Sequence, residues 1–279
     1  MSAPFFDVSI NDQIAHVVLN RPEKRNALSE EAWVELPKII RNIDDEAKAR
    51  VIIISARGPV FCAGIDISML SSGFASGNDK NVPTYGAEFL EIVTYMQETF
   101  SALEAARIPV IAAIKGGCYG AGVDMITACD MRFGTQESFM TIHEINVGMT
   151  ADVGTFPRIL NHLPEGVVRE LAYTGRKMYA PEAERRGLFN AVFDDEAEMM
   201  KAVMDMAALI AVKAPLAIYG SKRAISYGRD HSTSDALENI GIWNMSMLQP
   251  TEMMEAMAAN KQNRPGRFSD LPKRRRHKS

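Results

Sequence analysis

Two short, continuous apolar runs constrain the fold of this chain more than any other feature of its sequence. Val51–Ile54 and Pro109–Ile114 carry apolar residues at successive positions, and no polar residue interrupts either run. Such runs predict strands that are covered on both faces, as in a parallel sheet flanked by helices. We therefore expect an α/β fold.

The pattern of the remaining residues divides the chain of 279 residues into three parts. Strand and helix patterns alternate to about residue 193, beginning with a β-hairpin over residues 8–19 and a helix over 29–45. From Glu196 onward almost every segment has a helical pattern. We predict a β/α core at 1–195, a helical region at 196–263 and a basic, disordered tail at 264–279.

Composition and charge narrow the class of protein. The net charge of −4 argues against a nucleic-acid binder. Five basic residues near the C-terminus are typical of a solvated end, namely Lys273, Arg274, Arg275, Arg276 and Lys278. The three cysteines form no C-x-x-C pair, which fits a reduced compartment. No apolar run approaches 18 residues and no targeting signal is visible, so we expect a cytoplasmic protein without a membrane span.

Two turns built from small residues follow the predicted strands. Phe61–Asp66 reads Phe-Cys-Ala-Gly-Ile-Asp, and Lys115–Asp124 reads Lys-Gly-Gly-Cys-Tyr-Gly-Ala-Gly-Val-Asp before an apolar helix that ends near Asp130. Small residues let a ligand approach the backbone, and a helix N-terminus presents free N–H groups. The glycine spacing matches neither a phosphate loop nor a dinucleotide loop. Either turn alone is explained by a tight strand–helix connection, but two such turns can direct two N–H groups to one oxyanion.

Three acidic residues lie among apolar neighbours after the second turn. Asp124, Glu144 and Asp152 are the candidates for the acid and base that a proton transfer requires. Taken singly, each has a structural explanation, such as a favourable interaction with a helix dipole for Asp124 or an N-cap for Asp152.

The order of these features resembles the crotonase (enoyl-CoA hydratase/isomerase) family from about residue 5 to 262. The matching stretches are Asn20-Arg21-Pro22 with Asn26-Ala27-Leu28, Phe61–Asp66 and Pro109–Asp130. The resemblance implies a crotonase fold, which is a spiral of ββα turns with a helical C-terminal region that assembles trimers or hexamers. The local sequence is most similar to the Δ3,5-Δ2,4-dienoyl-CoA isomerase branch, for example at Ala151–Thr155 and Trp243–Gln249.

The resemblance also implies roles for individual residues. The backbone N–H groups of Ile65 and Ala121 would form the oxyanion hole, and Asp124, Glu144 and Asp152 would be catalytic. Residues implied in binding coenzyme A are Lys24, Arg25, Ala27, Ala63 and Asp66. The coenzyme belongs to the substrate, and neither a further cofactor nor a metal is implied. The loop at 71–83, rich in Ser, Gly and Asn, is expected to line the acyl pocket.

The chain departs from the family pattern at three positions. Ala121 stands where glycine is usual, but only its N–H is needed, so alanine serves if its φ is negative. His143 replaces the usual lysine of the isomerase branch. Asp124 and Glu144 are 20 positions apart, as are the two glutamates of the hydratases. Aspartate is shorter by one C–C bond, roughly 1.5 Å, and would hold the hydratase water less well.

The resemblance thus implies isomerisation of a 3,5-dienoyl-CoA to the 2,4-dienoyl-CoA in fatty-acid β-oxidation. One alternative is a 2-enoyl-CoA hydratase. Another is a non-catalytic homologue that associates with RNA through the basic tail. The presence of all three carboxylates argues against this last alternative.

Overall fold

The computed structural model describes residues 4–69 and 82–275. Residues 71–81 of the loop predicted at 71–83 lie outside the described residues, so the role of this loop at the acyl pocket stays a prediction. Within the described part, the chain forms two sheets packed with helices and then a run of C-terminal helices.

The larger sheet has six strands in the order β1-β2-β3-β5-β7-β10. The strands are β1 (Phe6–Asn11), β2 (Ile14–Leu19), β3 (Val51–Ala56), β5 (Val110–Ile114), β7 (Met131–Thr135) and β10 (Ala191–Phe193). The first two form the predicted antiparallel hairpin, and the other neighbours pair in parallel. Every residue of β3 and β5 is buried, which confirms that the two apolar runs are strands covered on both faces.

The smaller sheet has four short strands in the order β4-β6-β8-β9. They are β4 (Val60–Cys62), β6 (Gly117–Tyr119), β8 (Phe139–Thr141) and β9 (Met178–Tyr179). The first three pair in parallel, so their carboxyl ends lie along one edge of the sheet.

Ten helices of five or more residues have bounds within the described residues. They are α1 (Glu30–Asp45), α2 (Val82–Glu104), α3 (Ala121–Thr127), α4 (Thr155–Ile159), α5 (Glu165–Thr174), α6 (Ala180–Arg185), α7 (Glu196–Ala211), α8 (Pro215–Asp230), α9 (Thr233–Met247) and α10 (Pro250–Lys261). In the described ranges no single helix is long and apolar enough to cross a membrane, and α7 with α8 passes that test only as a pair bent by 108°.

The large sheet separates two apolar clusters, and this changes the predicted domain boundary. Ile52 and Ile54 belong to the cluster that contains α1 and α2, whereas Val51 and Ile53 belong to the opposite cluster. That second cluster is completed by α7, through Met199, Val203, Ala207 and Ala211. The helix is therefore a layer of the β/α core, although the sequence pattern assigns it to a separate region that starts at residue 196.

The C-terminal segment 264–275 is docked on the core, which corrects the expectation of a disordered tail from residue 264. Leu271 is buried. The Arg107 guanidinium pairs with buried Asp44 at 3.0 Å and donates to the Pro272 carbonyl at 2.7 Å. Arg50 donates to the Phe268 carbonyl at 2.8 Å. Buried guanidinium groups need acceptors, and this segment supplies them.

Two of the five basic residues near the C-terminus are engaged with acidic groups of α1 and its end. Lys273 pairs with Glu46 at 2.7 Å, and Arg274 lies 3.6 Å from Asp44. Residues 276–279 lie outside the described residues. The contacts of Lys273 and Arg274 weaken the case for a free RNA-binding tail.

A chain that ends at Asn263 is expected to be less stable than the full chain. Truncation removes the carbonyl acceptors of Arg107 and Arg50, and each buried donor left without a partner costs about 1–3 kcal/mol. Urea unfolding of both proteins measures the difference. Removal of residues 276–279 alone is the matched control and should leave the midpoint unchanged. An equal midpoint for the chain ending at Asn263 would show that the docking contributes nothing to stability.

Candidate active site

The site begins where β4 and β6 end side by side. Cys62 and Cys118 are partners in this parallel pair, so the small-residue turns that follow them are adjacent. A Cβ atom added to Gly64 would lie 3.2 Å from the Tyr119 carbonyl oxygen and 3.7 Å from the Ala121 nitrogen. The two turns predicted to converge are therefore in contact.

Two backbone N–H groups at these turns lack an acceptor within the described part of the chain. Leu28 and Ile65 form a β-bridge in which Leu28 N–H donates to Gly64 and Asp66 N–H donates to Leu28, which leaves the Ile65 N–H unused. Ala121 is the first residue of α3, where the N–H has no intrahelical partner. Ala121 is absent from the residues with positive φ, so alanine fits this position without strain.

The first turn is fixed to the loop at residues 21–26. The buried Asn26 amide donates to the carbonyls of Arg57 and Val60 at 2.9 and 2.7 Å. Arg21 pairs with Asp66 at 2.6 Å. Hydrogen bonds from the Ser68 backbone and from Arg21 hold the pKa of the Asp66 carboxyl at about 2. Asp66 thus anchors the loop as an ionised partner of Arg21.

Glu144 reaches the second turn because residue 120 is glycine. Gly120 has φ +47°, and a Cβ atom there would lie 3.0 Å from Glu144 Oε1. Glu144 begins a short 3₁₀ helix at Glu144–Val147, which follows β8 after two intervening residues. Its Oε2 atom is buried and has no hydrogen-bond partner among the described residues. A carboxylate oxygen in this state is available to accept a proton.

Asp124 lies in the first turn of α3 and is 1% exposed. Its Oδ1 atom accepts hydrogen bonds from the backbone N–H and the hydroxyl of Thr155, at 2.5 and 2.8 Å. Burial, and next the charge of Glu144, raise the pKa of Asp124 to about 7, against the lowering effect of Thr155. The Asp124 carboxyl is therefore poised to hold a proton near neutral pH.

The other two carboxylates also have raised pKa values. Burial raises the pKa of Glu144, with a further contribution from the charge of Asp152. Burial raises the pKa of Asp152, which is less enclosed. Three carboxyl groups with pKa values shifted in the same direction are characteristic of acid–base sites.

These groups line one cavity of about 590 Å³. Its walls include Ala63, Ile65, Ala121 and the three carboxylates. Helices α1 and α2 contribute mainly apolar lining residues, namely Trp33, Tyr85, Phe89, Ile92, Val93, Tyr95 and Met96. A mainly apolar cavity with a few polar groups is the usual form of a small-molecule site.

The structure brings most of the predicted site residues together, but not all of them. Lys24, Arg25, Ala27 and Asp66 are not among the described residues that line the cavity. The Ala27 carbonyl accepts a hydrogen bond from Arg21 at 3.0 Å, so this group is already used within the protein. The predicted contacts of these four residues with coenzyme A stay predictions.

The sequence pattern predicts no role for Thr155 or for the apolar face of α2. Thr155 follows Asp152 by three positions and is the first residue of α4, where a backbone N–H has no intrahelical partner. His143 also lines the cavity, where its Nδ1 atom lies 3.2 Å from the Asn146 amide nitrogen. In the described ranges, no group of three or more His, Cys, Asp or Glu side chains could hold a metal ion.

The sequence profile of the enoyl-CoA hydratase/isomerase family matches residues 9–269, and this chain belongs to that family. It is 39% identical to the human mitochondrial Δ(3,5)-Δ(2,4)-dienoyl-CoA isomerase over 259 residues, covering 92% of this chain and 78% of the relative. It is 36% identical to the peroxisomal protein of the same name from Arabidopsis thaliana over 264 residues, covering 94% of both.

Solved structures agree with the fold. An enoyl-CoA hydratase from Bacillus anthracis superposes with a TM-score of 0.85 at 26% identity, over 95% of this chain and 98% of the other. A putative enoyl-CoA hydratase from Thermobifida fusca, solved in complex with acetoacetyl-CoA, gives 0.79 at 25% identity, over 88% and 95%. The predicted family and the predicted crotonase fold are confirmed. The relatives' names state mitochondrial and peroxisomal locations, so the cytoplasmic location stays a prediction.

Asp124→Asn is expected to stabilise the fold increasingly as the pH rises. Because the pKa of Asp124 is about 7 in the folded protein and near 3.8 when exposed, folding is disfavoured as the pH rises through this range. Asparagine does not ionise and can still accept from Thr155. The free energy of unfolding of the variant, relative to that of the wild type, should therefore rise by about 3 kcal/mol between pH 5 and pH 8.

Urea unfolding at both pH values measures this effect. Asp12→Asn, which alters an exposed carboxyl in the β1–β2 turn, is the control and should show no such growth. A gain for Asp124→Asn that is the same at pH 5 and pH 8 would contradict the raised pKa.

Proposed function

We propose that this protein isomerises 3,5-dienoyl-CoA thioesters to 2,4-dienoyl-CoA thioesters in fatty-acid β-oxidation. The observation that carries the proposal is the presence of three carboxylates with raised pKa values in one cavity, beside two unused backbone N–H groups. The names of relatives that share 36–39% of its residues support the same activity.

In the proposed reaction the thioester oxygen binds to the N–H groups of Ile65 and Ala121. Removal of the C2 proton then forms an enolate, whose negative oxygen these two groups stabilise. One such donor is typically worth about 2.7–4 kcal/mol in the transition state. Glu144 is the proposed base, because its unpaired Oε2 atom lies at the turn that carries Ala121.

The second proton transfer returns a proton at C6. The carbons C2 and C6 are too far apart for one carboxylate to serve both easily, so we assign the C6 step to Asp152. Burial raises the pKa of Asp152, which favours the protonated form that a donor requires. Asp124, with its pKa of about 7, sets the combined charge of Asp124 and Glu144 by holding or releasing a proton.

A 2-enoyl-CoA hydratase is the second candidate, favoured by the electrostatic contact between Asp124 and Glu144. In a hydratase two carboxylates hold the added water. Asp124 has one oxygen occupied by two hydrogen bonds from Thr155, which leaves less of it for a water. The arrangement therefore supports the isomerase more than the hydratase.

A panel of acyl-CoA thioesters followed by ultraviolet absorbance separates the two candidates. We expect the absorbance of a conjugated 2,4-diene to appear from a 3,5-dienoyl-CoA, with little loss of the 2-enoyl absorbance from a short enoyl-CoA. Water addition to the enoyl-CoA without conversion of the dienoyl-CoA would establish the hydratase instead.

Coenzyme A binding and assembly remain part of the proposal. We place the phosphates of the coenzyme at Lys24 and Arg25, whose side chains are exposed. We also propose that α9 contributes to contacts between copies of the chain in a trimer or hexamer. Its apolar residues Leu237, Ile242 and Met245 are 67%, 53% and 81% exposed, which is unfavourable in a monomer.

Asp152→Asn should lose dienoyl-CoA isomerisation by about 10²-fold or more, the usual scale for general acid catalysis. The variant should still exchange the C2 proton with deuterated water, because Glu144 and the oxyanion hole are intact. Proton exchange is followed by mass spectrometry and turnover by absorbance. Asp194→Asn, an exposed change, is the matched control. Full isomerisation by Asp152→Asn, or loss of C2 exchange with the fold intact, would falsify this division of roles.

A further inference from the structure

The turn between Asp152 and Thr155 is held by a buried arginine. Gly154 has φ +131°, a conformation that favours glycine, and a Cβ atom there would overlap the Arg158 guanidinium. Arg158 lies in α4, one turn beyond Thr155, and its side chain is only 11% exposed. The guanidinium therefore packs directly against the backbone of the turn.

Residues of α2 fix this guanidinium in place. Arg158 Nε donates to Glu104 at 3.1 Å, and Arg158 Nη2 donates to the Ser101 hydroxyl at 3.0 Å. The other oxygen of Glu104 accepts from Arg229 of α8 at 2.8 Å. A planar guanidinium with two fixed acceptors has one preferred orientation, which makes it a rigid support.

The supported turn carries contacts to two of the three carboxylates. Asp152 at its start lines the cavity, and Gln97 of α2 donates to the Asp152 carbonyl at 2.6 Å. Thr155 at its end donates twice to Asp124. The same helix lines the apolar part of the cavity through residues nearer its N-terminus, such as Phe89 and Met96.

We propose that Arg158 is a positioning residue for the reaction, because it fixes the turn that aims Asp152 into the cavity and Thr155 at Asp124. This inference rests on the proposed function in treating Asp152 as the acid for C6. Arg158 itself does not line the cavity among the described residues, and it acts through the turn. Arg158 also connects α2, which lines the cavity, to the turn that carries Asp152, so that helix and turn are held in one geometry.

Arg158→Met should reduce kcat for dienoyl-CoA isomerisation by about 10²-fold, the scale of a misplacement of about 1 Å at a reacting group. KM should change by less than about threefold, because the substrate contacts are elsewhere. The fold-loss in C2 proton exchange should be at least ten times smaller than the fold-loss in isomerisation, because Glu144 is not held by Arg158. Arg158→Lys keeps the charge but not the planar guanidinium group. Its kcat should be about tenfold higher than that of Arg158→Met.

Arg229→Met is the matched control. It removes the same charge and a hydrogen bond to the same Glu104, but leaves both bonds of Arg158. We expect kcat within about twofold of the wild type. An equal loss in Arg229→Met and Arg158→Met would overturn the proposal, because the effect would then come from charge or general stability. An unchanged kcat in Arg158→Met would overturn it as well.

Amide hydrogen exchange tests the positioning without reference to activity. The amides of residues 153–156 should exchange faster in Arg158→Met than in the wild type and in Arg229→Met, while those of β3 should not change. If the wild type converts no dienoyl-CoA, the proposed function is wrong, and the exchange of these amides still decides whether Arg158 holds the turn. Equal exchange in all three proteins would overturn the positioning role.

Discussion

The parallel pairing of β4 with β6 is the interaction on which the site depends. It sets Cys62 opposite Cys118 and so brings two turns that are more than 50 residues apart in sequence into contact. Neither turn is a site by itself, since each offers one free N–H group. The buried amide of Asn26 secures the first turn from the other side, and α3 continues the second. The protein's own contacts thus fix the backbone geometry of both turns, which is the condition for strong stabilisation of an oxyanion.

Burial of the three carboxyl groups lowers the stability of the folded protein. A carboxyl group as enclosed as Asp124 would normally be replaced by a neutral residue in a protein selected for stability alone. Thr155 compensates part of the cost through two hydrogen bonds, and the cavity wall from α2 keeps the dielectric low. The same burial that weakens folding at high pH raises the pKa of each carboxyl group, which suits acid–base chemistry near neutral pH.

Much of this arrangement could be predicted from the sequence, because it rests on local signals. Continuous apolar runs identified β3 and β5, and the small-residue turns with Asp124, Glu144 and Asp152 identified the cavity. The placement of α7 could not be predicted in this way, since an apolar helical face does not show which sheet it covers. The buried contacts of Arg158 and of the segment 264–275 could not be predicted either, because their hydrogen-bond partners are distant in the sequence. Arg107 and Pro272, for instance, are separated by 165 positions.

The docking of the C-terminal segment has a consequence for how the chain folds during synthesis. Domains begin to form from the N-terminus as the polypeptide emerges, so β1 to β7 can pair long before Pro272 is made. Until then the guanidinium groups of Arg50 and Arg107 lack carbonyl partners that they have in the finished protein. Contacts of such high sequence separation form late and slow the final step. The last described residues of the chain therefore complete the hydrogen bonding of a core that is otherwise formed. A nascent chain stalled before them would remain incompletely folded and accessible to chaperones and proteases.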